Sequence, residues 1–100
     1  MIVRIFDTAV NPEDVERGMQ VFREQVKPFF DKLPGCLGIE MLIGAEEVAG
    51  GEIEVAAVSR WESLGAVQDA TSSPEYDAAL AEFRALFEKT PIVRHYETVD

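Results

Sequence analysis

Cysteine and histidine are nearly missing from this chain: Cys36 and His95 each stand alone. One Cys and one His cannot build a tetrahedral zinc site. A lone thiol cannot close an internal disulfide, which fits a reducing, cytoplasmic setting. Basic side chains are scarce too, nine Lys and Arg against 19 Asp and Glu, for a net charge of −10. Nucleic-acid binding is driven by neutralising phosphates with cations, so no nucleic-acid partner is expected, and an anionic membrane surface would also repel the chain. No unbroken apolar run approaches ~18 residues, so no membrane-spanning helix is expected. The opening MIVRIFD lacks a basic stretch followed by a long apolar one, so no secretory leader is expected. Also absent are a glycine-rich phosphate loop, a serine elbow and a paired-carboxylate motif. The sequence therefore calls for no metal and no cofactor.

What is present is a single domain spanning 1–100, with 47% hydrophobic residues. A core this small makes oligomerisation a natural way to bury more surface. Ile2 to Asp7 reads as a strand rich in β-branched and aromatic residues. Asn11-Pro12 is a helix start, Asn as the cap and Pro in the first position. Val15, Met19, Phe22, Val26, Phe29 and Leu33 then form one apolar stripe, with a kink expected at Pro28 and an end before Pro34-Gly35. Leu37 to Gly44 and Ile53 to Trp61 are two further strands, joined by an acidic loop in which Glu46-Glu47 reads as a solvated pair. A short helix from Glu62-Ser63 to about Ala70 follows. Ser73 caps the next helix, with Tyr76, Leu80, Phe83 and Phe87 as its apolar stripe, and Ile92 to Val99 is the last strand. The fold class is α+β, a ferredoxin-like β-α-β-β-α-β antiparallel sheet with two helices on one face.

Strand side chains alternate between faces. The odd positions, among them Val3, Ile5, Asp7, Ile39, Val55, Ser59, Trp61 and His95, are the more apolar set and are assigned to the helix side. The even positions mix Arg4, Phe6, Leu42, Val58, Arg60, Arg94 and Tyr96, too apolar for water and too charged for a monomer core. Such a face fits packing against a second copy, so these residues are expected at a homodimer interface. Arg4 and Arg94 are expected to pair with Glu40 or Glu54 there, with a ligand's acid group as the alternative.

Three stretches carry a resemblance: Pro34-Gly35-Cys36-Leu37-Gly38 entering the second strand, Arg60-Trp61-Glu62-Ser63 ending the third, and Ser73-Pro74-Glu75-Tyr76 opening the last helix. With the element order, they resemble the antibiotic biosynthesis monooxygenase family over almost the whole chain. The resemblance implies a dimeric α/β barrel with a pocket between sheet and helices, walled in part by Trp61, in which an aromatic or polyketide-type molecule is oxygenated without a cofactor. Ala57 stands where the polyketide oxygenases carry an amide. The last helix has no histidine and the first strand no asparagine, so the resemblance does not extend to haem-degrading members.

Within that pocket Trp61 offers a flat indole face and one donor. His95 could serve as a base, with Asp7 and Ser59 on the same face to orient it. Tyr76, Phe22, Met19 and Phe83 would line the space, as pocket or simply as core. Cys36 reads as a small buried apolar side chain. Two rivals stay open: a non-catalytic ligand-binding or structural dimeric barrel, and an isomerase using His95 as proton shuttle in the same cavity.

Overall fold

The first strand sets the frame, because it lies in the middle of the sheet. The computed structural model describes residues 1–46 and 50–100. Strands β1 (Ile2–Val10), β2 (Cys36–Ile43), β3 (Ile53–Trp61) and β4 (Ile92–Glu97) form one sheet in the order β2-β3-β1-β4. All neighbouring pairs are antiparallel. β1 runs further than its sequence signal, since Thr8, Ala9 and Val10 are buried and remain paired. Among the described residues no helix is long and apolar enough to cross a membrane. Glu47, read as half of a solvated pair in the β2–β3 loop, lies outside the described residues.

The first helical segment begins with a short 3-10 turn at Pro12–Asp14 and continues as α1 (Val15–Val21), a π-helical turn (Phe22–Val26) and α2 (Lys27–Phe30). Asn11 is extended and makes no side-chain cap; its amide donates to Glu88 Oε1 at 2.6 Å instead. The disturbance expected at Pro28 takes the form of the π turn, where the Lys27 N–H reaches back five residues to the Phe22 carbonyl. Pro28 has no N–H to continue the ordinary ladder, and a wider turn absorbs the defect. One extra residue in the turn advances the helix phase. The buried side chains become Val21, Phe22, Val26 and Phe30, while Phe29 is only half-buried and Leu33 falls beyond the helix.

α3 (Leu64–Thr71) is capped by Ser63, whose Oγ accepts from the Ala66 N–H at 3.1 Å. α4 (Pro74–Arg84) is capped by Ser73, which accepts from the Tyr76 N–H at 3.2 Å. Tyr76, Leu80 and Phe83 form the buried face of α4, and Phe87 lies past its end, bridged to Val10. The core lies between these helices and one face of the sheet, with Phe30, Ile39, Trp61, Val67, Leu80 and Phe83 in contact.

The register corrects the face assigned to β1. Ile2 faces Trp61, Arg4 faces Ser59 and Phe6 faces Ala57, so the even positions of β1 share the helix side with the odd positions of β3. Phe6 stacks against Phe87 with ring centroids 5.4 Å apart. Arg4 and Phe6 are therefore under the helices, while Val3, Ile5 and Asp7 are on the open face. Arginine tolerates the helix side because its long stem can bury while its head reaches outward; the short Asp7 side chain would bring a carboxylate into the core without that option.

Leu42, Val58, Arg60, Arg94 and Tyr96 occupy the open face together with Asp7 and Glu54. Leu42, Ile92 and Tyr96 are 50%, 58% and 51% exposed at its two edges, whereas Val58 in the middle is only 7% exposed. Among the described residues, the cross-strand ion pair on this face is Arg60 with Glu40 at 3.2 Å, and neither Arg4 nor Arg94 makes one.

Candidate functional site

A row of side chains crosses the helix side of the sheet. Ile39, Ser59, Arg4 and His95 are successive cross-strand partners on β2, β3, β1 and β4. Directly opposed side chains start about 5 Å apart, so the row runs as a polar track from the exposed edge strand into the core.

Above the middle of this row lies a cleft walled by Phe6, Phe30, Phe83 and Phe87, with Tyr76, Ser59, Arg4 and Arg84 also on its lining. The cleft holds about 360 Å³ of empty space, mouth included, of which only about 20 Å³ is open to the centre of a water molecule. A water needs about 10–15 Å³ on that measure, so the closed interior has room for about one.

Each wall has a local cause. Tyr76, Leu80, Phe83 and Arg84 recur at steps of three and four on α4, which places them along one face. Phe30 reaches the cleft because the π turn rotates α2. Ser59 is buried and accepts from the Trp61 Nε1–H at 2.8 Å. That leaves the Ser59 hydroxyl proton available to donate. Burial pushes the Tyr76 phenol above its ordinary value of 10.0, with Arg4 and Arg84 acting in the opposite sense. Tyr76 therefore stays a donor across the physiological range. The Arg84 guanidinium lies 5.6 Å from the Tyr76 ring centroid and is paired with Asp77 at 3.1 Å.

Of the expected pocket residues, Ser59, Tyr76 and Phe83 line this cleft. Trp61 does not; it is 0% exposed, edge-on to Phe30 at 6.0 Å, and plugs the core beneath. Met19 and Phe22 line a separate open groove between the first helical segment and β2, with Arg23 and Lys27. Asp7 points to the open face, where its hydrogen bond and its charge raise the Glu54 pKa. His95 is on the helix side as expected, beside Arg4, but it is exposed and is not part of the cleft wall. Burial, and then the Arg4 charge, push its pKa below 6.5. Asp7 cannot orient it from the opposite face.

The sequence reading missed Phe6, Phe30, Arg84 and Phe87 as cleft residues, and gave Arg4 a ligand role only as the alternative to an ion pair at the dimer interface. Arg84 carried a usable signal, lying eight residues after Tyr76 and four after Leu80 on one helix face. Arg4 and Phe6 needed the register of β1, and Phe30 needed the π turn. Cys36 is half-buried, and burial raises its thiol pKa, which leaves it a poor nucleophile.

Two of the sequence stretches noted above meet in space. Cys36 pairs with Trp61, and the Glu62 N–H donates to the Gly35 carbonyl at 2.9 Å. The Pro34-Gly35 turn and the end of β3 thus form one corner, packed on the first turn of α3.

Solved structures share this arrangement. An antibiotic biosynthesis monooxygenase superimposes with a TM-score of 0.76 at 16% identity, covering 100% of both chains. A conserved protein from Methanosarcina mazei Go1 gives 0.74 at 17% identity, covering 99% of this chain and 94% of that one. A mutant of SnoaB, a cofactor-independent oxygenase from Streptomyces nogalater, gives 0.70 at 20% identity, covering 99% and 93%. At such identities the likeness speaks for the fold. No curated protein matches the chain in sequence. The family model for antibiotic biosynthesis monooxygenase matches residues 1–88, and with nearly nine-tenths of its length so matched, the chain belongs to the antibiotic biosynthesis monooxygenase family.

Proposed function

We propose that this chain binds a small aromatic molecule in the cleft between sheet and helices and oxygenates it without metal or flavin, working as a homodimer in the cytoplasm. The observation that carries the reading is the composition of the cleft, which four phenylalanines line together with Tyr76 and Ser59. An electron-rich phenolic ring would be gripped by those faces. Once deprotonated, the ring carbon supplies both electrons to dioxygen. The resulting hydroperoxide loses water to leave a carbonyl, so one oxygen atom enters the product and the other leaves as water. Tyr76, held protonated, is the donor available to the reduced oxygen. His95 is not assigned the base role, because it lies outside the cleft wall.

Dimerisation is supported by the open sheet face. Its two edges expose Leu42 on one side and Ile92 and Tyr96 on the other. Charges of both signs, Arg60, Arg94, Glu40 and Glu54, lie on the same face and can pair across a two-fold axis. Sedimentation equilibrium should give twice the 11.1 kDa chain mass, and Leu42→Asp with Tyr96→Asp should give the single mass.

Oxygen uptake with a dihydroxynaphthalene tests the activity. Wild type and His95→Ala should consume oxygen alike, and Tyr76→Phe should be slower by about tenfold or more. Uptake no faster than in buffer would remove the oxygenase reading. A second reading would then stand, a non-catalytic structural dimeric barrel, which the small enclosed volume favours.

A further inference from the structure

Building on the reading of this cleft as a ligand site, we propose that its ligand carries a carboxylate, gripped by the guanidinium of Arg4. Arg4 lies on a central strand beneath the helices, and its Nε is closed off from solvent with no acceptor among the described residues. A buried donor left unpaired is costly, and more so on a charged group. Nor does Arg4 form an ion pair among the described residues, although Arg17, Lys27, Arg60, Arg84 and Lys89 all do. Arg23, Lys32 and Arg94 are likewise without an ion pair among the described residues, but all three are exposed, whereas Arg4 is partly buried beside a cleft.

The cleft wall repeats the bias. Its lining residues include two arginines, a serine and a tyrosine, and no Asp or Glu. Ser59 faces Arg4 directly across the β1–β3 ladder. Its oxygen accepts from Trp61, and its O–H remains free to donate toward the cleft. Arg4 Nε–H and Ser59 O–H are thus donors at facing positions with no acceptor among the described residues. The Nε edge of arginine is one that can grip a carboxylate through two parallel hydrogen bonds. The surrounding Phe6, Phe83 and Phe87 suit an apolar body attached to that head group. Arg84 is the weaker rival, since Asp77 already occupies it. Because the enclosed room is about one water, the cleft must widen to admit the ring of such an acid.

The test is calorimetric titration of the full chain with benzoate and with its neutral isostere benzamide. Wild type should bind benzoate about tenfold more tightly or better, the margin of a charge-assisted pair. Arg84→Gln should keep that preference and Arg4→Gln should abolish it, binding both compounds alike. Equal binding of the two by wild type, or a preference that survives in Arg4→Gln, would overturn the carboxylate while leaving the cleft a ligand site. Binding of neither would remove both readings. Should Arg4→Gln fail to fold, the arginine Nε–H resonances of the wild type decide. One of them should shift with benzoate and stay in place with benzamide, and the absence of that difference would overturn the proposal.

Discussion

Trp61 donates its indole N–H to Ser59 Oγ at 2.8 Å, two residues back on the same strand, and both side chains are shut off from solvent. The pair explains why the largest side chain of the core can lie deep without a stranded donor. It occupies one Ser59 lone pair and leaves the hydroxyl proton free to donate.

Removing the acceptor while keeping the donor should be expensive. Ser59→Ala leaves a buried N–H unpaired, and about 1–3 kcal/mol of stability should be lost. Urea denaturation measures it. In a Trp61→Phe background the same serine change should cost much less, because no donor is left to satisfy. Equal costs in both backgrounds would mean that the hydrogen bond contributes nothing.

The order of strands and helices was legible because each element carries its own punctuation: Ser73-Pro74 before α4, Pro34-Gly35 before β2, β-branched runs for the strands. Within the site, Tyr76 and Phe83 were legible for the same reason, since helical spacing fixes a face. β1 was not. Its odd and even sets are almost equally apolar, each with one charged residue, and only pairing with β3 chooses between burying Arg4 and burying Asp7. Periodicity has no term for the difference between a long side chain that can reach the mouth of a cleft and a short one that cannot.

The first helical segment failed in a different way, and the failure can be measured. An unbroken helix would bury Phe29; the π turn buries Phe30 instead. Phe30→Ala should cost about 3–5 kcal/mol, as large-to-small core changes do, and Phe29→Ala clearly less. Chemical denaturation of the two variants ranks them. The reverse order would mean that the helix keeps its ordinary phase past Pro28.

Gly35 is a position where the chain tolerates no side chain. Its φ is +78°, and a Cβ there would lie 2.6 Å from the Ala66 Cβ. Gly35→Ala therefore combines left-handed backbone strain of about 1–3 kcal/mol with a clash against the first turn of α3. The thermal midpoint should drop by several degrees, as a loss of that size does in a domain of about 100 residues. Ala66→Gly should recover part of the loss by clearing the clash. No recovery would place the whole cost in the backbone.

His95 reports on Arg4 directly, and as the single histidine it gives a clean NMR titration. Burial and the Arg4 charge hold its pKa below 6.5. Arg4→Met should raise it by removing the charge, though not fully, because burial is the larger cause. The sign for stability follows. A histidine depressed in the fold favours the neutral form, so its contribution is present above the unfolded value of about 6.5 and is lost as the pH falls from there through the folded value. An unchanged titration in Arg4→Met would separate the two side chains.

On the other side of the sheet the sign reverses. Asp7 is diagonal to Glu54 across the β1–β3 ladder, and its hydrogen bond and charge raise the Glu54 pKa above 4.5. A carboxyl raised in the fold binds its proton more tightly there than in the unfolded chain. Its contribution is therefore full below 4.5 and is lost as the pH rises through the folded value. At neutral pH the two carboxylates repel. Glu54→Gln copies the protonated form and should melt higher than wild type at pH 7, with the advantage shrinking as the pH is lowered through the titration of Glu54. Lys89 attracts Glu54 and opposes the effect, so Lys89→Met should widen the gap at pH 7. A difference between Glu54→Gln and wild type that holds constant from pH 7 down to pH 4 would show that the Asp7–Glu54 pair does not govern it.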